Sequence, residues 1–550
     1  MSYDLRRKRC LIVDDFYQFR RSLRGMMEKL ECGMVHEAGN ARDALESARE
    51  RSYDIFLVDY NLGEGMDGQE LHDELVHEKL IRPSTIFIMV TAEDTAPLVL
   101  ASLLYEPDDY LTKPFGLPVL QQRLEKALTR KQALEPIYRA IEAGKLEAGL
   151  QLAEVLQQRF PRYAMYIHRL QGRMLMELGR YEDAIILFRS ILRKRDLAWA
   201  WLGLGQCYFY LRDYSRAQKA LEKAIATENR YLAARDWLAK VLMEVGDNRA
   251  AQKVLEEAVQ LSPKSVERLD ALGDVAEENG DSEWRLRARR LAVKHASNTR
   301  HHNANRYVLY ARALVDDMDG SGGLTDRRRA EEFRKQIKGL RKHFRDKLEA
   351  MIRGRLATAD LLEKEGKEKE AVAERDQALE DAEQLKGVHD ADTLVELADA
   401  YHKAGQPEKA DACLKELADK HQDSPRVRSQ LARRVADQKA REQFDLAAEF
   451  NSEGVRLYRQ KQWMDALKAF RKAVKLAPSN ASYVLNAAQS CFELAESERD
   501  AEPLEEAWRL IDSIRDLPED DYRYERYDKL RAQVMKLGRE LGMALEGSDV

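Results

Sequence analysis

The sequence predicts two architectures in tandem, an α/β doubly wound five-stranded parallel sheet followed by an all-α helical-repeat superhelix. Three observations predict it. Up to about residue 130, short apolar runs alternate with amphipathic stretches, the pattern of strands joined by crossover helices. Beyond that point β-branched runs vanish, glycine becomes occasional, and Ala, Leu, Glu, Lys and Arg recur with helical periodicity. Within this helical half, one arrangement of small and large apolar positions recurs at a fixed spacing.

Taken in order, the predicted strands run from Arg9 to Asp14, Met34 to Ala38, Ile55 to Asp59, Thr85 to Thr91 and Asp109 to Thr112. The helical half is most regular around Trp201, Leu204, Gly205, Tyr208, Ala217, Leu221 and Ala224. The same frame returns at Leu238, Ala239, Leu242, Ala251, Leu255, Ala258 and Pro263, and it precedes them at Gly172, Leu175, Ala184, Phe188 and Ile191. Small residues let two helices approach, large ones fill the groove between them, and a proline ends the second helix. Further copies read at Leu397, Tyr401, Gly405, Ala410, Leu414 and Pro425, and at Gly454, Leu457, Trp463, Ala466, Phe470, Ala473 and Pro478. A degenerate copy opens the array at Ala140, Gly144, Leu156 and Pro161. This pattern, W-x2-L-G-x2-Y followed by spaced alanines, resembles the tetratricopeptide repeat, whose period is about 34 residues. The expected divisions are 1–130 for the sheet domain, 135–299 for a first repeat array, 300–390 for a loop with long charged helices and degenerate repeats, and 391–545 for a second array.

Composition narrows the function. Lys and Arg number 91 against 96 Asp and Glu, and the resulting net charge of -5 disfavours a dedicated binder of nucleic-acid backbone. Local basic runs at Arg300 to His302 and Arg327 to Arg329 are the places where such a contact would lie, with a solvated helix surface as the plainer reading. Five scattered cysteines without a C-x-x-C pair predict neither a disulfide framework nor a zinc site. The opening segment is neither a signal peptide nor a membrane anchor, and no run approaches about 20 apolar residues. A cytoplasmic protein without membrane insertion is expected. The glycine-rich stretch around Asp317, Asp319 and Gly320 begins like a calcium loop but lacks the later acidic ligands, and so reads as a plain loop.

Chemistry concentrates at the predicted strand ends. Asp14 and Asp15 end the first strand, Asp59 the third, Thr91 the fourth and Lys113 the fifth. In a doubly wound sheet these ends share one crevice. Three carboxylates there repel one another unless a cation intervenes. A hard divalent ion is implied, and Mg2+ suits carboxylates together with a phosphoryl oxygen. Lys113 can place a charge, and Thr91 a hydroxyl, on that phosphoryl group. Asp59 is then the nucleophile that forms an aspartyl phosphate. No second cluster of this kind follows residue 135, so an enzyme acting on an external substrate is not expected.

With the segments VDDFYQFRR, FLVDYNL, VTAED and DYLTKPF, residues 1 to about 130 resemble the receiver domain of bacterial two-component response regulators, a flavodoxin-like fold. The resemblance implies Mg2+ bound by Asp14, Asp15, Asp59 and the backbone carbonyl of Asn61. It makes Tyr110 an aromatic switch that follows Thr91, and Lys113-Pro114 a cis peptide. Phe16, Asn61 and Glu93 resemble the chemotaxis-type receivers and imply a short-lived phosphoryl state. The chain departs from the family in its acceptor loop, DYNLGEGMDG, which has Gly63 where proline is usual and one additional residue before Gly68. The implied function is phosphorylation-dependent signal transduction, with a sensor histidine kinase or phosphotransfer protein as donor and an unidentified protein bound by the repeats. The face at about residues 94 to 128 would carry the change into the first repeat at Glu135. A transcription or RNA regulator using the basic runs is the alternative, and a non-phosphorylated relative of the same fold is the structural one.

Overall fold

The computed structural model describes residues 5–543 apart from 64, 92–106, 298, 300, 386–389, 422–426, 428–430, 432–437, 479, 519–520 and 522, and no side chains for 438–445. Glu93, Arg300, Pro425 and much of the face expected at 94–128 therefore lie outside the described residues. The chain divides into two compact units, Met1–His302 and Asn303–Val550.

The first unit begins with five strands: β1 (Arg9–Val13), β2 (Met34–Ala38), β3 (Ile55–Asp59), β4 (Ile86–Thr91) and β5 (Asp109–Thr112). They form one parallel sheet in the order β2-β1-β3-β4-β5, the doubly wound topology expected. Helices α1 (Tyr17–Lys29), α2 (Ala41–Glu50), α3 (Gly68–His77) and α4 (Leu117–Ala133) accompany it. Strand alternation divides the core between the faces. Leu11, Val13, Phe56, Val58, Phe87 and Met89 pack on one, and Cys10, Ile12, Ile55, Leu57, Ile88 and Leu111 on the other. Two predicted boundaries shift by one residue, since Asp14 lies just past β1 and Thr85 just before β4.

After Leu134 the chain continues as antiparallel helix pairs: α5 (Glu135–Glu142) with α6 (Leu146–Arg159), α7 (Ala164–Glu177) with α8 (Tyr181–Leu192), α9 (Ala198–Tyr210) with α10 (Tyr214–Thr227), α11 (Leu232–Glu244) with α12 (Asn248–Leu261), and α13 (Val266–Asn279) with α14 (Ser282–Ala296). The small-to-large logic is literal. A Cβ on Gly172 or Gly203 would lie 2.7 or 2.5 Å from the buried Phe188 ring, and one on Gly205 would lie 2.6 Å from Leu221. The same pairing returns in the second unit, where a Cβ on Gly454 would lie 2.5 Å from the Phe470 ring. The array is joined to the sheet domain near the amino ends of β4 and β5. There Ser84 Oγ donates to Glu142 at 2.7 Å, and Arg130 pairs with Asp108 at 2.5 Å while lying 4.1 Å from the Tyr166 ring.

The second unit is also helical. Its pairs begin with α15 (Ala304–Asp316) and α16 (Leu324–His343), then α17 (Leu348–Lys364) and α18 (Glu368–Gln384), and then α19 (Ala391–Lys403) and α20 (Pro407–His421). Among the described residues, the remaining helices run over Gln438–Arg459, Trp463–Leu476, Ala481–Glu498, Ala501–Asp512 and Tyr524–Glu540. The segment considered for calcium is held by the chain's own cations. Lys364 Nζ donates to the carbonyls of Val315, Asp316 and Met318 at 2.7, 3.3 and 2.6 Å, and Arg329 donates to that of Asp317 at 2.8 Å. It is a loop, as expected. Among the described residues no helix is long and apolar enough to cross a membrane.

Candidate functional site

The parallel register brings the polar strand ends together. Val13 stands opposite Val58 and Asp59 opposite Val90, so Asp14, Asp59 and Thr91 emerge side by side at the carboxyl edge. One carboxylate oxygen from each of Asp14, Asp15 and Asp59 lies within 4.8 Å of the others. Asp14 and Asp59 are buried, and Asp15 opens to solvent. Lys113 closes the group, its Nζ 2.7 Å from Asp14 Oδ2 and 2.9 Å from Asp59 Oδ2. It arrives from β5 through a cis Lys113-Pro114 bond, with its backbone N–H donated to the Thr91 carbonyl at 2.7 Å.

Neighbouring groups hold this arrangement. Asp14 Oδ1 accepts the N–H of Phe16 at 2.8 Å, and Arg20 donates to the Asp14 carbonyl at 2.5 Å. The Phe19 ring lies 4.1 Å from the Lys113 ammonium and meets Phe115 edge-on at 5.9 Å. The roles of Phe19 and Arg20 were not read from the sequence, although both belong to the VDDFYQFRR segment. Thr91 is buried. Tyr110 pairs with Met89 across the sheet and packs against the core on the Phe87 side. Asn61 offers its backbone N–H to Asp59, while its side chain accepts the N–H of Gly63 at 3.2 Å.

The electrostatics match a site with excess negative charge. Burial pushes the Asp59 carboxyl up to about 6, with Asp14 adding to the rise, against the opposing pull of Lys113 and the Asn61 N–H. Burial draws the Lys113 ammonium down, but hydrogen bonds to Asp14 and Asp59 outweigh it and leave it raised. Oxygen ligands of an octahedral ion with bonds of about 2.1 Å lie roughly 3–4 Å apart. A spread within 4.8 Å therefore fits Mg2+ after small side-chain movements.

The loop after Asp59 accounts for its own departure from the pattern expected there. Gly63 and Gly65 have φ of +75° and +94°, in the left-handed region closed to proline. A Cβ on Gly68 would fall 2.2 Å from the Asp59 carbonyl, so the loop must return with glycine at the start of α3. Lys264, between α12 and α13, donates to the carbonyls of Gly63 and Gly65, each at 3.1 Å. Sequence reading missed this residue, because nothing local to it marks a partner two hundred positions earlier.

Residues 10–125 match the response regulator receiver domain. Tetratricopeptide repeats match at 137–198, 209–276, 392–424 and 451–511. The chain is 35% identical over 123 residues to the transcriptional regulatory protein SrrA of Staphylococcus aureus, a match covering 22% of this chain and 48% of that protein. It thus spans about half the length of the curated relatives it matches. Among solved structures, the N-terminal domain of a response regulator/sensory box/GGDEF 3-domain protein from Carboxydothermus hydrogenoformans is 25% identical, with a TM-score of 0.21 over 23% of this chain and 98% of that one. MamA protein is 19% identical, with a TM-score of 0.27 over 30% of this chain and 90% of that one.

Proposed function

We propose that this chain, an N-terminal response regulator receiver domain followed by tetratricopeptide repeats, takes a phosphoryl group on Asp59 and uses it to control protein binding by its repeats. Its domains place it in two-component signalling with protein-interaction repeats. The donor is a sensor histidine kinase or a phosphotransfer protein. Residues 1–130 receive the signal, 135–299 and 391–545 bind, and 300–390 connect them. The observation that carries this reading is the Lys113 ammonium bridging Asp14 and Asp59 with Asp15 alongside.

In the transfer, an Asp59 carboxylate oxygen supplies the electron pair of the new P–O bond. The bond from phosphorus to the donor's imidazole nitrogen breaks, and its electrons leave with the nitrogen. Lys113 holds one phosphoryl oxygen by charge, and the Thr91 hydroxyl donates to another. Asp14, Asp15, Asp59 and the Asn61 carbonyl would hold Mg2+, which would supply charge neutralisation there. Thr91 and Tyr110 then shift together. The change passes towards the array through β5 and α4, which runs into α5 with Leu134 alone between them.

The test is phosphoryl incorporation into the full-length protein from acetyl phosphate with Mg2+, followed by intact mass. Wild type gains one phosphoryl group and Asp59→Asn gains none; persistent labelling of the variant overturns the assignment. The name of the curated relatives motivates a second reading with nucleic acid as the output. It would use Arg327 to Arg329, of which Arg329 is already engaged by Asp317. Strongly salt-dependent binding to nucleic acid would favour it.

A further inference from the structure

The Lys264 contact joins the acceptor loop to a repeat. The turn that carries Lys264 is itself built. Buried Arg268 donates to Asp236 Oδ1 and Oδ2 at 2.7 and 2.9 Å and to the Ser262 carbonyl at 3.0 Å, fixing the turn between α12 and α13. From there the ammonium reaches two carbonyls of a loop whose glycines are in the left-handed region. That loop begins at Asp59, contains Asn61, and at Gly63 comes so close to Asp15 that a Cβ would lie 3.1 Å from its Oδ2. It ends in a capping box in which Asp67 and Glu70 each accept the other's N–H at 2.8 Å, and the charge of Lys264 acts on both carboxylates. One side chain from the array therefore holds the segment lying between two of the three clustered carboxylates and the start of α3.

We propose that Lys264 is a positioning residue for the Asp59 site, fixing the acceptor loop so that the Asn61 carbonyl and Asp15 are set for Mg2+, and thereby coupling occupancy of the site to the repeat array. The inference rests on the reading of Asp59 as the phosphoacceptor. The departure of this loop from the family pattern acquires a purpose. Proline at 63 would forbid the φ of +75° at which the Gly63 carbonyl meets Lys264. The loop is tied at the carboxyl edge of the sheet, while Ser84, Asp108 and Arg130 tie the amino edge to the first repeats. Two attachments at opposite ends of the strands let movement at one be felt at the other. Thermodynamic linkage requires the coupling to be reciprocal, so whatever Lys264 does for the site, site occupancy does for the α12–α13 turn.

The experiment is calorimetric titration of the full-length protein with Mg2+, together with hydrogen exchange at residues 262–268 with and without Mg2+ and beryllofluoride. It compares wild type, Lys264→Ala, Lys264→Arg and Asp59→Asn. Loss of two charge-assisted hydrogen bonds should weaken Mg2+ binding about three- to tenfold in Lys264→Ala. Lys264→Arg, which keeps charge and donors, should restore it. Beryllofluoride should alter exchange in the turn of wild type but not of Lys264→Ala. Equal Mg2+ affinity in wild type and Lys264→Ala overturns the inference and leaves the Asp59 reading standing, as does failure of arginine to restore binding. Absence of Mg2+ binding by wild type itself, or binding unchanged in Asp59→Asn, overturns the Asp59 reading and the inference with it.

Discussion

The carboxyl edge of the sheet and the helical arrays treat charge in opposite ways. In the arrays, three buried arginines and one half-buried one are matched: Arg268 with Asp236, Arg289 with Asp274 and Glu277, Arg353 with Glu396 and the Asn305 side chain, and half-buried Arg312 with Asp360 and Glu396. At the sheet edge, three carboxylates cluster and one lysine bridges two of them. Matched charge orients helices and asks for nothing further. Unmatched charge is a standing demand for a cation, met at some cost to the empty fold. The difference separates groups that build the molecule from groups that operate it, and substitution should move stability in opposite directions in the two regions.

The largest effect belongs to the matched set. Arg353→Ala removes the buried member of this network and leaves half-buried Glu396 paired with the half-buried Arg312, and should destabilise the second unit by about 3–5 kcal/mol, read from urea unfolding of the full chain. An unchanged midpoint would break the comparison. Next, Asp59→Asn should stabilise the metal-free protein by about 1–3 kcal/mol at neutral pH, because a buried carboxylate in surplus is removed. The native Asp59 carboxyl titrates at about 6, above the unfolded value near 3.8. Between those values the native state holds the extra proton, so wild-type stability falls as pH rises through this window and stays lower above it. The gain from asparagine should thus be small at about pH 4 and complete by about pH 7. A pH-independent difference would contradict the electrostatic cause.

A smaller effect sharpens the contrast at the Asp317 loop, which has aspartates and glycines but not the chemistry. Lys364→Met removes the donor from three carbonyls and should cost about 1–2 kcal/mol in the same unfolding measurement. Smallest of all, Ca2+ added to Asp59→Asn should leave hydrogen exchange at residues 315–326 unchanged. Protection on adding Ca2+ would make that loop a metal site after all.

These contrasts also explain what the sequence could disclose. Strand ends are legible because an apolar run stops at a polar residue, so Asp14, Asp59, Thr91 and Lys113 could be assembled from topology alone. Repeat packing was legible too, since a glycine sixteen positions before a large residue recurs as Gly172 and Phe188, then Gly454 and Phe470. Arg353 was harder. An arginine among Ile352, Leu356 and Ala357 breaks an apolar face, yet its partner Glu396 lies on a different helix pair. Lys264 was not legible at all, because a lysine before a helix is an ordinary surface residue until folding brings Gly63 and Gly65 to it. The glycines themselves were the visible clue, read only as a departure in the loop.

The separation of Lys264 from Gly63, 201 positions along the chain, also has a meaning in time. A ribosome adding about 5–20 residues per second needs roughly 10–40 s to pass from one to the other. The strands, the aspartates and Lys113 all emerge before the side chain that fastens the acceptor loop. Each newly made molecule therefore passes through a youth in which its sheet domain is complete and its loop untethered, and it comes under the control of its own repeats only as synthesis moves past α12.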